Sequence, residues 1–271
     1  MIDRHEKLDR LRAIIRSLGK VALAYSGGVD SSLLLRVARD ELGDQIMAIT
    51  ATGALMPASE IDSALATARS MGIEPLVLVA DVLSLEDFRI NPPDRCYVCK
   101  RAIFTSVMAA AKEKGFTTVI DGSHAGDLEG DRPGKRALRE MGVRSPLTEA
   151  GLDKADVRQI AKILGVPTAD KPANPCLATR IPFYEPITLE KLRQVERAEL
   201  AVREIGIEQV RVRHHGTIAR IEVPLEDLFK IVDKRDIIIS KLKALGFVYV
   251  VLDLQGFRSG SMSEALAVKK S

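Results

Sequence analysis

The most constraining feature of the sequence is a short loop, rich in glycine and serine, that joins an apolar run to an amphipathic segment. The apolar run Val21–Tyr25 predicts a buried strand, and residues 31–42 predict a helix with its apolar side chains on one side. Between them lies Ser26-Gly27-Gly28-Val29-Asp30-Ser31. Glycines let the backbone turn sharply and approach a ligand closely, and N–H groups at a helix start attract anions. The segment therefore predicts a phosphate cradle rather than a plain turn.

The loop differs from two common phosphate-binding motifs, the Walker A loop and Gly-x-Gly-x-x-Gly. Ser-Gly-Gly-x-Asp-Ser after the first strand resembles instead the PP-loop of the ATP pyrophosphatases. The resemblance implies an enzyme that binds ATP with Mg²⁺, adenylates a substrate oxygen and releases AMP and pyrophosphate, with Asp30 at the magnesium–pyrophosphate. The residues assigned to cofactor binding are Ala24, Ser26, Gly27, Gly28, Asp30, Ser31, Ser32, Thr50, Gly122 and Arg180.

Strand-like and helix-like segments alternate through the first two-thirds of the chain, which is typical of a parallel sheet covered on both faces. Further strands are predicted at residues 45–51, 75–82 and 117–121, and helices at residues 59–71, 97–114 and 153–164, the last with Asp153 as N-cap. Lys135 and Arg136 are assigned to a charged loop. The predicted fold class is α/β, with a PP-loop domain like that of the adenine nucleotide alpha hydrolases. Ligands on such sheets bind at the carboxyl ends of the strands.

The composition changes in a proline-rich stretch between residues 171 and 186. Beyond it, helices are predicted at residues 188–205 and 225–245, and strands at residues 209–213, 218–223 and 248–252. We therefore predict two domains. Residues 1–180 form the PP-loop ATP pyrophosphatase domain, and residues 181–271 form a small α+β domain for substrate binding and oligomerisation.

Size and composition describe an ordinary globular protein. The chain has 271 residues, of which 46% are hydrophobic and 28% charged, and its net charge is +3. This mild charge does not require a nucleic acid partner, and no apolar stretch approaches the ~20 residues of a membrane span. Residues 1–5 open a charged amphipathic segment and not a signal peptide. We therefore expect a cytoplasmic protein without a membrane partner.

The cysteines are the second strong signal. Cys96 and Cys99 lie at the start of a predicted helix, where the helix N-terminus favours thiolates, and Cys176 lies in the proline-rich stretch. A redox dithiol would use the first pair alone. A zinc site would need Cys176 and His124 as well, and an iron–sulfur cluster could take all three thiolates. Three unrelated buried cysteines are the remaining alternative.

A longer set of motifs resembles the LarE-type sulfur transferases. The matching segments are residues 94–100, 121–127, 144–147, 176–182 and 255–261. LarE-type enzymes act in the synthesis of the nickel-pincer nucleotide. They adenylate a carboxylate of pyridinium-3,5-biscarboxylic acid mononucleotide and replace it with a thiocarboxylate. The resemblance thus implies a small-molecule mononucleotide substrate and a sulfide donor as partners.

The family uses two sources of sulfur. One version sacrifices the sulfur of a single cysteine, at the position of Cys176, and leaves dehydroalanine. The other holds a [4Fe-4S] cluster on three cysteines and transfers a sulfide bound at the open iron. Because this chain has Cys96, Cys99 and Cys176, the resemblance favours the cluster version. These three cysteines and Asp30 are therefore the predicted catalytic residues, and the cysteines are the predicted metal ligands.

Charged residues of the C-terminal part complete the predicted site. Arg211 and Arg213 alternate on a strand, so both guanidinium groups leave one face and could fork onto a phosphate. A solvated edge strand would show the same pattern. The resemblance assigns Arg211, Arg213 and Arg258 to the phosphate of the substrate, and Arg180 could join them. Glu199 and Glu222 could hold a divalent ion. Lys100, which follows Cys99, could offset phosphate charge.

Two other functions compete with this assignment. A tRNA-thiolating PP-loop enzyme can also use a Cys-x-x-Cys pair and a distant cysteine, but it should carry a broad basic face, and the net charge of +3 does not indicate one. A nucleotide-binding regulator would have no use for the three cysteines. We therefore predict an ATP-dependent sulfurtransferase that forms a homo-oligomer and does not bind nucleic acid.

Overall fold

The computed structural model describes residues 4–128, 132–258, 260–262 and 264. The chain divides into two compact units. The first unit comprises Met1–Val82 and Asp94–Asn174, and the second comprises Leu83–Pro93 and Pro175–Ser271. The division at residue 174 lies six residues before the predicted domain boundary, and the short segment Leu83–Pro93 joins the second unit.

The first unit is built on a parallel sheet. Its strands are β1 (Val21–Ala24), β2 (Ile46–Thr52), β3 (Leu76–Val79) and β4 (Thr118–Ile120), in the spatial order β3-β2-β1-β4. Val21 at the start of β1 pairs with Ile46 of β2 and Thr118 of β4, so the carboxyl ends of these strands lie at one edge. The predicted α/β class and parallel sheet are confirmed.

Helices cover both faces of this sheet. They are α1 (Arg4–Leu18), α2 (Val29–Leu42), α3 (Ala58–Ser70), α5 (Arg95–Glu113), α6 (Pro133–Glu140), α7 (Pro146–Glu149) and α8 (Lys154–Ile163), while α4 (Glu86–Arg89) belongs to the second unit. One core joins α1, α2 and α8 through side chains such as Leu11, Leu34 and Ile160. The other joins α5 to the sheet through Phe104 and Ile49. Each fully buried side chain of this size stabilises the fold by about 1.5–3 kcal/mol.

The second unit is a small α+β structure. It contains α9 (Leu189–Arg203), β5 (Arg211–His215), β6 (Ile218–Glu222), α10 (Leu228–Asp233), α11 (Arg235–Ala244) and β7 (Tyr249–Leu252). β5 and β6 form an antiparallel hairpin, and β7 runs parallel to β6 at the other edge. Val202, Val212 and Leu242 lie in its core. No helix in the described ranges is long and apolar enough to cross a membrane.

Two local predictions were wrong. The predicted helix over residues 225–245 is two helices, because the backbone at Lys234 (φ −99°, ψ 13°) ends α10, and no glycine or proline marks this break. Lys135 and Arg136 lie in helix α6 and not in a loop. The side chain of Asn91 donates to the carbonyls of Pro182 and Glu185, which ties Leu83–Pro93 to the second unit. The predicted N-cap Asp153 is confirmed, with a full capping box.

The turn after β1 depends on Gly27. Its φ of +71° lies in the left-handed region, and a Cβ at this position would lie 2.3 Å from the Cβ of Ala64 on α3. Gly72 has nearly the same φ, +74°, but its Cβ would meet nothing within 4 Å. An alanine at position 72 would therefore add backbone strain alone, whereas an alanine at position 27 would add backbone strain and steric overlap.

We expect Gly27→Ala to lower the free energy of unfolding by about 2–5 kcal/mol, since it combines left-handed strain with overpacking. The matched control Gly72→Ala adds only the strain and should cost about 1–2 kcal/mol. Urea denaturation of both variants measures the difference. Equal losses would show that the contact between residue 27 and α3 does not constrain the loop.

Candidate active site

The loop between β1 and α2 is organised by hydroxyl groups. Gly28 is the N-cap of α2, and its carbonyl accepts a hydrogen bond from Ser31 Oγ at 3.1 Å. The hydroxyls of Ser26 and Ser31 lie 3.2 Å apart. The hydroxyl of Ser32 points elsewhere, to the buried Tyr25 at 3.2 Å. Ser26 and Ser31 thus remain at the anion-binding end of the helix, whereas Ser32 helps to hold the loop.

A cavity of about 280 Å³ opens at the carboxyl ends of the strands beside this loop. Of the residues assigned to cofactor binding, those that line it are Ala24, Ser26, Asp30, Ser31 and Gly122. Gly27 and Gly28 form the turn itself. Thr50 is fully buried, and its hydroxyl has no hydrogen-bond partner in the described residues.

The sequence did not reveal the apolar wall of this cavity. The wall is formed by Ile49, Ala51, Met56, Ile103, Phe104 and Val107. The last three lie on α5 at helical spacing, a pattern that also marks ordinary core residues. An apolar wall beside the N-terminus of a helix suits a purine ring and its phosphates. Lys100 also lines the cavity, with its ammonium 5.0 Å from the centre of the Phe104 ring.

A second backbone segment packs directly against the loop. A Cβ on Gly122 would lie 2.9 Å from the backbone nitrogen of Ser31, so only glycine allows this approach. The preceding carboxylate, Asp121, accepts hydrogen bonds from Ser123 and Ser145, both at 2.5 Å. Asp121 and Ser123 also line the cavity. The segment after β4 is therefore fixed in position by its own hydrogen bonds.

Two lysines lie beside the loop. Lys154 Nζ is 2.8 and 2.6 Å from the two carboxylate oxygens of Asp30. Lys171 pairs with Glu60 at 2.8 Å and lies 3.5 Å from the carbonyl of Gly27. Neither lysine belongs to the motif of residues 26–31, and no local pattern could have indicated them.

Cys96 and Cys99 lie in the N-terminal part of α5, Cys96 exposed and Cys99 partly buried, and neither forms a disulfide. Helix α6 packs against this part of α5. At the contact, a Cβ on Gly134 would be 3.7 Å from the Cβ of Cys96. Tyr97 donates its hydroxyl to Glu140 of α6 at 2.5 Å. The part of α5 that carries Cys96 and Cys99, the cysteine turn, is thus anchored by side chains on both helices.

Cys176 is a partly buried free thiol in the second unit, just before a 3-10 turn at Leu177–Arg180. Its carbonyl accepts a hydrogen bond from Thr179 Oγ1 at 2.8 Å. Within the described ranges, the structure contains no group of three or more His, Cys, Asp or Glu side chains placed to hold a metal ion. The donor set itself, three cysteine thiols in one chain, is of the type that iron–sulfur clusters use.

Arg180 is fully buried in the second unit. It forms two hydrogen bonds to Glu199, at 2.7 and 2.9 Å, and donates to the carbonyls of Pro175 and Cys176. Burial works against the ionisation of Glu199, but the hydrogen bonds and charge of Arg180 hold the pKa of this carboxyl below its usual value. Arg180 therefore fixes the backbone next to Cys176.

Arg213 lies in a similar buried network. It pairs with Glu222 at 2.7 Å and donates to Ser261 and to the carbonyl of Thr179. Arg220 also pairs with Glu222, at 2.9 Å. Glu199 and Glu222 thus have arginine partners in the structure, so the suggestion that they hold a divalent ion lacks support from their contacts.

Arg211 is buried on the same strand, over the ring of Phe257 at 5.3 Å. Burial, together with repulsion from Arg180, lowers the pKa of Arg211 to about 10. Arg258 pairs with Glu264 at 3.2 Å and lies 3.7 Å from Asp253. Ser259, which belongs to one of the matching segments, lies outside the described residues.

Comparison with known proteins identifies the family. No family model matches the chain. The chain is 41% identical to an uncharacterized protein of Synechocystis sp. over 96% of its length and 98% of that protein. It is 33% identical to an uncharacterized protein of Methanocaldococcus jannaschii, over 89% of the chain and 91% of that protein.

A third relative has a described activity. The chain is 37% identical to the pyridinium-3,5-bisthiocarboxylic acid mononucleotide synthase of Lactiplantibacillus plantarum, over 94% of its length and 93% of that protein. The match spans both compact units, and its level is sufficient to establish common family membership. The chain therefore belongs to the family of this synthase, the LarE-type ATP-dependent sulfur transferases of the PP-loop superfamily.

Proposed function

We propose that this chain adenylates a carboxylate of pyridinium-3,5-biscarboxylic acid mononucleotide and inserts sulfur there, in the synthesis of the nickel-pincer nucleotide. The observation that carries this proposal is the 37% identity, over 94% of the chain, to a protein named as the synthase of the corresponding bisthiocarboxylic acid. No observation favours the tRNA-thiolating alternative over it. The regulator alternative leaves the three cysteines without a purpose.

The cavity beside the loop of residues 26–31 supplies the binding groups for ATP. We place the purine against Phe104 and the other apolar wall residues, and the phosphates at the N-terminus of α2. The N–H groups there are fixed before ATP arrives, so they can stabilise the charge that develops on the leaving pyrophosphate. Asp30 and Asp121 offer the carboxylate oxygens that Mg²⁺ prefers.

The arginines of the second unit support a phosphate site for the mononucleotide. Arg211 and Arg213 are buried on one face of β5, and burial, together with repulsion from Arg180, lowers the pKa of Arg211 to about 10. A phosphate group of the substrate would be attracted to this cluster of guanidinium groups. We therefore assign Arg211 and Arg213, with Arg258 and the positioning residue Arg180, to this phosphate.

Sulfur transfer completes the reaction. Sulfide attacks the carbonyl carbon of the acyl-adenylate, the bond from that carbon to the AMP oxygen breaks, and AMP leaves with the electron pair to give a thiocarboxylate. Cys96 and Cys99 lie where a helix N-terminus stabilises thiolates, and we assign them, with Cys176, to a [4Fe-4S] cluster. When bound, the cluster would supply a carrier for sulfide, so that no protein sulfur is consumed.

The remaining assignments follow from the same proposal. We propose a cytoplasmic enzyme in which the first unit binds ATP and the second binds the mononucleotide. Exposed apolar side chains on the second unit, including Phe229, Tyr249 and Leu254, support its use in a homo-oligomer. The sulfide donor is expected to be a small molecule or a protein that delivers sulfide.

The adenylation step tests the function directly. The protein should release pyrophosphate from ATP only when the pyridinium dicarboxylate mononucleotide is present, and Asp30→Ala should abolish this release because Mg²⁺ loses a ligand. Asp40→Ala is the matched control, since Asp40 lies exposed on the same helix and pairs with Arg36. Pyrophosphate is measured by a coupled assay. Near-normal release by the Asp30 variant would refute the role of this residue.

The arginine site predicts a selective loss of affinity. Arg211→Ala should weaken binding of the mononucleotide by on the order of 2 kcal/mol, or roughly thirtyfold, because a charge-assisted contact is lost. Binding of ATP should not change. Arg235→Ala on the exposed face of α11 is the control, and isothermal titration with both ligands is the measurement. Equal losses for the two ligands would instead indicate a general effect on the fold.

The mass of the protein after reaction distinguishes the cluster from sacrifice of Cys176 as the source of sulfur. Changing Cys96, Cys99 or Cys176 to serine should remove the cluster and the activity together, because a hard oxygen ligand replaces thiolate poorly. The wild-type mass should stay unchanged after many turnovers with added sulfide. Dehydroalanine at Cys176 after one turnover, with activity retained in the Cys96 and Cys99 variants, would contradict the cluster and support sacrifice of Cys176.

A further inference from the structure

Asp30 has a cationic partner from a distant part of the chain. Lys154 Nζ lies within 2.8 Å of both its carboxylate oxygens, although the two residues are 124 positions apart in sequence. Lys154 is the first residue of α8 after the N-cap Asp153. The motif of residues 26–31 gives no indication of this lysine, so an assignment from motifs leaves it out.

The lysine occupies the position where a metal ion would bind the carboxylate. Mg²⁺ requires oxygen ligands at about 2.0–2.1 Å in near-octahedral geometry. An ammonium that lies 2.6 and 2.8 Å from the two oxygens of Asp30 stands between them. Mg²⁺ can therefore bind Asp30 through that side only after Lys154 has moved away.

The backbone of Lys154 is fixed, but its ammonium can move. Asp153 and Asp156 form a reciprocal capping box around the first turn of α8, and Asp156 is in turn paired with Lys7 and Arg4. The lysine side chain is flexible, and 37% of it is exposed. An ammonium that leaves Asp30 therefore stays within a few ångströms of any anion bound at the N-terminus of α2.

We propose that Lys154 is a second cation of the ATP site. It neutralises Asp30 before the nucleotide binds, releases the carboxylate to Mg²⁺ when Mg–ATP enters, and then pairs with the phosphates that leave as pyrophosphate. This inference rests on the proposed ATP site. It adds to that site a residue that contacts the leaving group and that sets the concentration of Mg²⁺ at which ATP binds.

Equilibrium binding of ATP and of inorganic pyrophosphate tests the proposal. Lys154→Met keeps the length of the side chain and removes its charge. We expect it to lower the Mg²⁺ concentration for half-maximal ATP binding at least about threefold, because Asp30 is no longer shielded. We also expect it to weaken binding of pyrophosphate at saturating Mg²⁺ at least about tenfold, since a charged contact is lost. Isothermal titration at a series of Mg²⁺ concentrations gives both values.

Two further variants separate the effect of the charge of Lys154 from an effect on the fold. Lys162→Met removes a lysine of the same helix that pairs with Asp170 at 2.7 Å, and it should behave as wild type. Lys154→Arg keeps the charge and should bind pyrophosphate within about threefold of wild type. Thermal denaturation checks that each variant is folded.

The outcomes distinguish this inference from the proposed function. A raised Mg²⁺ requirement in Lys154→Met would mean that the lysine only holds Asp30 in place, and unchanged pyrophosphate affinity would mean that it does not contact the leaving group. Either result overturns the proposal while the ATP site stands. If wild type binds neither ATP nor pyrophosphate, the ATP site itself is wrong, and the role of Lys154 is refuted with it.

Discussion

The close approach of backbone segments around the start of α2 is the constraint on which the first unit depends. Gly27 leaves no room for a Cβ against Ala64, and Gly122 leaves none against the backbone of Ser31. Because these contacts hold the main chain of the loop in place, the N–H groups at the helix start are fixed in direction. A site of this kind needs little reorganisation when the charge on a phosphate grows, which is the condition for strong electrostatic catalysis.

The second unit depends on a different constraint, the burial of arginine. Burying a charge is costly unless it is paired and hydrogen-bonded. Here Glu199 forms ion pairs with Arg180 and Arg203. Glu222 forms ion pairs with Arg213 and Arg220. Burial, together with repulsion from Arg180, lowers the pKa of Arg211 to about 10. An anionic ligand close to these arginines would reduce their mutual repulsion.

The sequence predicts the features of this protein that are local or periodic. The parallel sheet follows from alternating apolar strands and amphipathic helices, and the loop at residues 26–31 follows from its glycines and serines. Contacts between distant residues are not visible in this way. Neither the attachment of Asn91 to Pro182 nor the pairing of Asp30 with Lys154 has a local signal. The break at Lys234 has none either, because the apolar spacing continues across it.

Helix α5 connects two cysteines to the cavity of the first unit. Its N-terminal part carries Cys96 and Cys99, and Phe104 on the same helix forms a wall of the proposed ATP cavity. At 1.5 Å per residue, the five residues from Cys99 to Phe104 span only about 7.5 Å of helix axis. Lys100 lies between them, with its ammonium over the Phe104 ring. A rigid helix thus sets the distance from the two thiols to the cavity, and the packing of α6 against the start of α5 fixes the position of these thiols.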